Sequence, residues 1–172
     1  MKTKLNLIVL IVFGLLISPT LMIGQSRKAN KDTQSWRYEI EPVGVGTQGT
    51  YLVKVWSYSK KSQVAIDQAK KNAIHGIIFR GFTGINGVPG QKPLAREPNL
   101  EQSQESFFKT FFNNGGDFMR FVSITNDGSI APEDRLKVGK EYKLGVIVSV
   151  NVSELRKYLE DKGIIKKLGA GF

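Results

Sequence analysis

Few side chains in this sequence have the type and spacing that catalysis requires. His75 is the single histidine, and nothing around it marks the partners of a catalytic triad or of a metal site. Glu133 and Asp134 are adjacent acids in a polar segment, whereas general acid–base catalysis needs two groups that face each other across a cleft. We therefore predict no catalytic residues. We interpret His75 as a structural or solvent-facing side chain and the two acids as solvated.

Three polar, glycine-rich segments share only their composition with known binding loops. Residues 113–117 and 126–129 contain the oxygen ligands that Ca²⁺ prefers, but neither has the residue order of a calcium loop. Residues 44–49 have the glycine spacing of a dinucleotide-binding loop, which must open a helix, and here a strand pattern follows. We interpret all three as turns and predict neither a metal ion nor a cofactor.

A binding surface is indicated by one face of the segment 50–59. Its alternation of residue types predicts a strand whose one face, with Val53 and Val55, belongs to the core. The opposite face carries what we call the aromatic strip: Lys54, Trp56, Tyr58 and Lys60. Such a strip can stack on sugars or bases, or form the centre of a protein interface. The alternative is that a helix covers this face and that both rings are core residues.

A second candidate surface lies near the C-terminal end. Between residues 135 and 172, nine basic residues stand against four acidic ones. Three of the lysines alternate with apolar side chains, an arrangement that suits contact with an anionic surface such as a membrane. These lysines are Lys162, Lys166 and Lys167, and the apolar residues are Ile164, Ile165 and Leu168. The alternative is a solvated tail that folds back onto the domain.

Hydrophobic periodicity predicts the elements that position these side chains. Strands are predicted at 36–40, 50–59, 118–125 and 142–150, and helices at 63–79, 101–112 and 151–161. Ser62 and Asn151 are predicted helix caps. Residues 81–99, with four glycines and three prolines, predict a long, mobile loop without regular structure. The order β-β-α-loop-α-β-β-α predicts an α+β fold of about four mainly antiparallel strands, with helices packed on one face.

The N-terminal residues predict export from the cytoplasm. Two lysines precede an apolar run from Leu5 to Ile17, which Ser18 and Pro19 interrupt, and this order is typical of a signal peptide at residues 1–26. The alternative is an uncleaved membrane anchor, since 20 residues are about enough to span a bilayer. Residues 27–34 predict a flexible lead, and residues 35–172 a single α+β domain. We expect a periplasmic or secreted protein, with association to the outer membrane as a further option.

The charge and cysteine content of the chain narrow the range of partners that we expect. The chain has a net charge of +10, and residues 1–26 contain two lysines and no acid, so the remainder carries +8. This excess favours anionic partners such as acidic glycans, lipopolysaccharide or a lipid surface. There is no cysteine, so the fold does not depend on disulfides and no cysteine-linked lipid is available.

Residues 43–80 resemble the N-terminal domain of the flagellar assembly protein FlgT and of related small outer-membrane lipoproteins. The likeness rests on the strand Tyr51–Tyr58, the helix with Ala65, Ala69 and Ala73 along one side, and the final strand and helix. The resemblance implies a bacterial envelope protein with an assembly or interaction role and without catalysis, and it identifies no site residues. Those lipoproteins are anchored through a lipidated cysteine, which this chain lacks.

These features together predict an exported, non-enzymatic module that binds or helps to assemble other envelope proteins. The alternative function is binding of an anionic polymer, either an acidic glycan or lipopolysaccharide. We expect an envelope protein as the partner, with an anionic glycan or lipid surface as the alternative, and we do not expect nucleic acid.

Overall fold

The computed structural model describes residues 36–125 and 128–168 of the chain. The predicted signal peptide and the flexible lead therefore lie outside the described residues. Within the described ranges, no helix has both the length and the apolar character needed to cross a bilayer.

The described residues contain a five-stranded antiparallel sheet, which confirms the predicted α+β fold. The strands are β1 (Tyr38–Val45), β2 (Thr50–Ser59), β3 (Val122–Ile124), β4 (Arg135–Val138) and β5 (Glu141–Asn151). β1 and β2 form a hairpin, and β2 pairs along its whole length with β5. β3 and β4 pair with the two ends of β5 on its other edge. The central pair β2–β5 therefore carries most of both sheet faces.

Four α-helices accompany the sheet in the part of the chain that the structure describes. They are α1 (Ser62–His75), α2 (Leu100–Ser103), α3 (Glu105–Phe111) and α4 (Val152–Asp161). A π-helical turn, Gly76–Arg80, extends α1, and 3₁₀ turns occupy Asp117–Phe121 and Pro132–Asp134. The Asn151 side chain accepts a hydrogen bond from the Glu154 backbone N–H at 3.0 Å, which confirms the predicted cap of α4.

Helix α1 packs closely on the inner face of the sheet because small side chains separate the two. Ala65, Ala69 and Ala73 are fully buried, and Asn72 Nδ2 donates a hydrogen bond to Ser57 Oγ on β2 at 2.8 Å. Beneath the helix lie fully buried valines of β2 and β5, including Val53, each of which stabilises the fold by roughly 1.5–3 kcal/mol. The inner face is thus the core face of the sheet.

The segment that follows α1 is more regular than we predicted. Residues 82–91 form a narrow hairpin whose tip, Asn86-Gly87, has positive φ angles of 52° and 79°, as a type I′ turn requires. The backbone N–H groups of Leu94 and Ala95 donate to carbonyls of the π-helical turn, at 3.1 and 2.8 Å. These bonds satisfy carbonyls at the helix end that have no helical partner. The prediction that residues 81–99 lack regular structure is wrong for residues 82–91, whereas residues 92–99 contain no helix or strand.

Several other boundaries differ from the prediction. The segment 118–125 is a 3₁₀ turn followed by a three-residue strand, and the polar segment before residue 140 contains β4. Helix 101–112 is divided into α2 and α3 at Gln104. Ser62 is not a cap, because it is the first residue of α1 and the N-cap is Lys61.

Candidate functional site

The face of the sheet opposite α1, here called the outer face, is open. Along β2, Val53 and Val55 are fully buried, whereas Lys54, Trp56 and Tyr58 are only half-buried. No helix in the described ranges covers these three side chains, and neither ring belongs to the buried core. The alternative of a covering helix is therefore wrong, and the aromatic strip lies on an accessible surface.

Trp56 lies against the backbone of the neighbouring strand. It pairs across the sheet with Gly145 of β5. A β-carbon at Gly145 would come within 3.0–3.1 Å of three atoms of the Trp56 six-membered ring, so the ring rests face-on over this glycine. The indole Nε1 donates a hydrogen bond to Glu41 Oε1 on β1 at 3.2 Å. One face of the indole is thus supported by the sheet, and its edge is fixed by a carboxylate.

Two lysines flank the indole ring. Lys54 Nζ lies 5.5 Å from the ring centroid, and Lys143 Nζ, on β5, lies 5.2 Å from it. Lys143 also lies 5.5 Å from the ring of Tyr58, and the guanidinium of Arg37 stands 4.3 Å above that ring. Each distance is within the range of a cation–π contact.

The same cations are paired with carboxylates. Lys54 Nζ donates to Asp134 Oδ1 at 2.9 Å. Lys143 Nζ donates to both oxygens of Glu39, at 2.9 and 2.8 Å, and the Tyr58 hydroxyl donates to the same carboxylate at 2.9 Å. The hydrogen bond from Lys143 is the largest cause that lowers the pKa of Glu39, and the same bond raises the pKa of Lys143. Each of these long side chains of the outer face is therefore paired with at least one neighbour.

Apolar side chains extend the outer face toward the β4 edge. Leu136 and Val138 of β4 are 45% and 50% exposed and lie beside Lys143 and Glu141 of β5. Arg37 and Glu141 form an ion pair across the sheet. The surface thus combines rings, exposed aliphatic groups and paired charges.

The sequence identified part of this site. Lys54, Trp56 and Tyr58 lie together as predicted, whereas Lys60 is exposed one residue beyond the end of β2. The residues that complete the site are on other strands or in a turn. They are Glu39, Glu41, Asp134, Lys143 and Gly145. For those on β1 and β5, alternation with core residues along the strand was the sequence signal that could have placed them on the outer face. Asp134, which we expected to be solvated, is only 7% exposed because it is paired with Lys54.

On the inner side of the sheet, His75 is the centre of a buried polar cluster. The Tyr38 hydroxyl lies 2.7 Å from Nδ1 of His75, and Nε2 lies 3.4 Å from a carboxylate oxygen of Glu101. The Trp36 ring stacks on the imidazole at 3.7 Å, and its Nε1 donates to Glu101 Oε1 at 3.0 Å. His75 is 3% exposed and Tyr38 is 6% exposed. The order tyrosine, histidine, glutamate is that of a proton relay, and of the three side chains Glu101 is the one that reaches solvent, with 35% of its side chain exposed.

The protonation states of this cluster also favour a structural role. Burial, assisted by the nearby Arg80 cation, lowers the pKa of His75 to about 3. Burial raises the pKa of Tyr38 and of Glu101. At neutral pH the imidazole is uncharged, and the tautomer that matches both neighbours carries its proton on Nε2, facing Glu101, and accepts from Tyr38 at Nδ1. His75 is thus a buried structural side chain, one of the two options that the sequence left open.

The C-terminal lysines lie on a segment that folds back onto the domain. Ile164 and Ile165 pack against the core, and the Ile164 N–H donates to the Leu159 carbonyl at 2.9 Å. The lysines themselves are exposed: Lys162, Lys166 and Lys167. The folded-back alternative therefore holds for residues up to 168, and the three lysines still face solvent.

Neither a search for metal-binding groups nor comparison with known proteins identifies a further functional site in the described residues. In the described part of the chain, no group of three or more His, Cys, Asp or Glu side chains is placed to hold a metal ion. Comparisons with protein-family models, curated proteins and solved structures find no significant match to this chain. The resemblance based on residues 43–80 therefore stays a prediction.

Proposed function

We propose that this protein is an exported, non-enzymatic envelope module that binds another envelope protein through its outer face. The observation that carries the proposal is the position of Trp56, whose ring rests on Gly145, is flanked by Lys54 and Lys143, and is only half-buried. Tryptophan, tyrosine and arginine are the side chains enriched where protein interfaces concentrate their binding energy.

The fixed geometry of the outer face supports binding. Ordering a long side chain on association costs roughly 0.5–1.5 kcal/mol. Lys54 and Lys143 are already held by Asp134 and Glu39 before any partner arrives. Their alkyl stems and the exposed Leu136 add apolar area around the rings. A partner thus meets a surface that needs little rearrangement.

The local charges favour a protein over an anionic polymer at this face. The four cations described there are opposed by four carboxylates, so the face does not share the basic character of the whole chain. The cations are Arg37, Lys54, Lys60 and Lys143, and the carboxylates are Glu39, Glu41, Asp134 and Glu141. Binding of an acidic glycan or lipopolysaccharide is the second candidate, and its support is the net charge of +8 outside residues 1–26.

Export is the part of the proposal that rests on the sequence. The basic, apolar and small residues of segment 1–26 support a signal peptide, and the resemblance to envelope lipoproteins agrees with the same compartment. N-terminal sequencing of the exported protein should give a start near residue 25 or 27. A protein that retains Met1 would contradict cleavage.

Quantitative affinity capture from envelope extracts tests the binding function. We expect the wild-type protein to enrich a protein partner that Trp56→Ala loses. Tyr142→Ala is the matched control, because Tyr142 is also an exposed aromatic residue of the sheet but lies on the inner side. Equal capture by all three proteins would contradict a role of the outer face. Retention on acidic polysaccharide that salt abolishes, without a protein partner, would favour the second candidate.

A further inference from the structure

A recess between the C-terminal segment, α4 and the segment before α2 combines an apolar floor with basic side chains. Its volume is about 170 Å³. The floor consists of Leu94, Leu100, Ile164 and Ile165. Arg96, Arg156 and Lys166 line the rim together with a single acid, Glu97. The recess differs from the outer face in its charge, because here the cations outnumber the acids.

The basic groups of the recess have capacity for a further partner. Arg96 has no hydrogen-bond or ion-pair partner among the described residues. Lys166 Nζ lies 3.7 Å from Glu97, in a pair whose side chains are 82% and 62% exposed, and such a pair contributes little. Arg156 lies 3.7 Å from Glu160, beyond hydrogen-bond distance. Three cationic side chains that retain free N–H donors therefore line one recess.

The size and the surroundings of the recess indicate which anion fits. The volume is below the roughly 300–1,000 Å³ of pockets that enclose a whole organic ligand, so only a small group enters. Two residues beyond Lys166, the side chain of Leu168 is 65% exposed. Basic residues beside an exposed aliphatic side chain are typical of contact with the interface of an anionic membrane.

We propose that this recess binds the phosphate of an anionic membrane lipid, with Arg96, Arg156 and Lys166 as the phosphate contacts. Arginine forks and a lysine ammonium give short, charge-assisted hydrogen bonds to phosphate oxygens. The acyl chains remain in the bilayer, and Leu168 contacts the interface beside the headgroup. The site is independent of the outer face and gives the protein a second, membrane-directed contact.

Vesicle binding by the full-length protein tests this site. The probes are vesicles of phosphatidylcholine with and without phosphatidylglycerol, and vesicles without phosphatidylglycerol measure any contribution of the apolar N-terminal residues. We expect Arg96→Ala/Lys166→Ala to weaken binding to phosphatidylglycerol vesicles by about tenfold or more. The matched control is Lys109→Ala/Lys140→Ala, which removes two exposed charges elsewhere and should change binding less than about threefold.

A second variant separates the site from a general effect of charge or misfolding. Glu97→Gln removes the acid of the rim and should strengthen binding to phosphatidylglycerol vesicles, which a damaged fold would not do. Equal losses in the two double variants, or wild-type binding that does not depend on phosphatidylglycerol, would overturn the proposal. Soluble glycerol phosphate that binds as tightly as the vesicles would overturn the membrane as its source.

Discussion

Trp36 and Trp56 form the same type of hydrogen bond in two different surroundings. Each indole Nε1 donates to a glutamate, at 3.0 Å for Trp36 and 3.2 Å for Trp56. Trp36 belongs to the inner side, where it stacks on His75 and packs edge-on against Phe112. Trp56 lies on the outer face, where Gly145 supports one side of the ring and no described helix covers the other.

The Trp36 ring joins secondary-structure elements to one another, whereas the Trp56 ring is available to a partner. Trp36 links the start of the described chain to α1 through His75 and to α2 through Glu101. Trp56 contacts only the sheet on which it lies, together with two lysines that are themselves paired. Loss of the first ring should thus cost stability, and loss of the second should mainly cost binding.

The largest expected effect is that of Trp36→Ala. We expect the free energy of unfolding to fall by about 2–3 kcal/mol, somewhat less than for a fully buried tryptophan, because this ring is partly exposed. A urea titration measures the change. A loss below about 1 kcal/mol would contradict the role of Trp36 as a link between α1 and α2.

Trp56→Ala should destabilise the protein less than Trp36→Ala. We expect a loss of about 1 kcal/mol in the same titration, since the ring is half-buried and outside the core. Val53→Ala on the same strand is the control, and its fully buried side chain should cost about 2 kcal/mol. If Trp56→Ala costs more than Val53→Ala, the indole is a core residue and the outer face is not a free surface.

The inner cluster should also make stability depend on pH. The pKa of His75 is about 3 in the folded protein and 6.5 in its reference state. Unfolding therefore takes up a proton as the pH falls below 6.5, and the stability that neutral His75 provides at higher pH is lost progressively down to pH 3. Between pH 7 and 5.5 we expect a loss of about 1 kcal/mol. In urea titrations at several pH values, His75→Gln should lose this part of the pH dependence of the free energy of unfolding. An unchanged pH dependence would contradict its attribution to buried, neutral His75.

Gly145→Ala has the smallest expected effect on stability. The new methyl group would lie 3.0 Å from the Trp56 ring, so the half-buried ring must shift by a few tenths of an ångström to accept it. We expect the free energy of unfolding to change by less than about 0.5 kcal/mol, because alanine is otherwise favoured over glycine in a strand. Affinity for the captured partner should fall nonetheless. Unchanged affinity would show that the ring position is unimportant.

Local sequence patterns were sufficient to predict which side chains of β2 lie on each face of the sheet. They were not sufficient to predict which side chains contact each other. Alternation along β2 placed Val53 in the core and Trp56 opposite to it, because every second side chain of a strand points to the same face. The pairing of Lys54 with Asp134 joins residues 80 positions apart, which no local pattern specifies. β4 was missed because a four-residue strand, with alternating basic and apolar side chains, gives too short a signal.

Helix packing could be predicted only in part, because contacts between residues far apart in the sequence leave no local pattern. The regular spacing of the three alanines along one side of α1 was visible in the sequence, and all three are fully buried where the helix approaches the sheet. Nothing near His75 in the sequence indicated Tyr38 or Glu101 as its neighbours, which lie 37 and 26 residues away. The loop 82–91 was misjudged because its glycines serve a tight hairpin, as at Gly87, rather than disorder.

The accessibility of Trp56 with and without its partner shows whether the outer face is the surface that binds. The chain contains two tryptophans, so in Trp36→Phe all indole fluorescence comes from Trp56. We expect acrylamide to quench this emission strongly in the free protein and weakly once the captured partner is bound. Strong protection of the free protein, or quenching that the partner leaves unchanged, would contradict a binding role for the outer face.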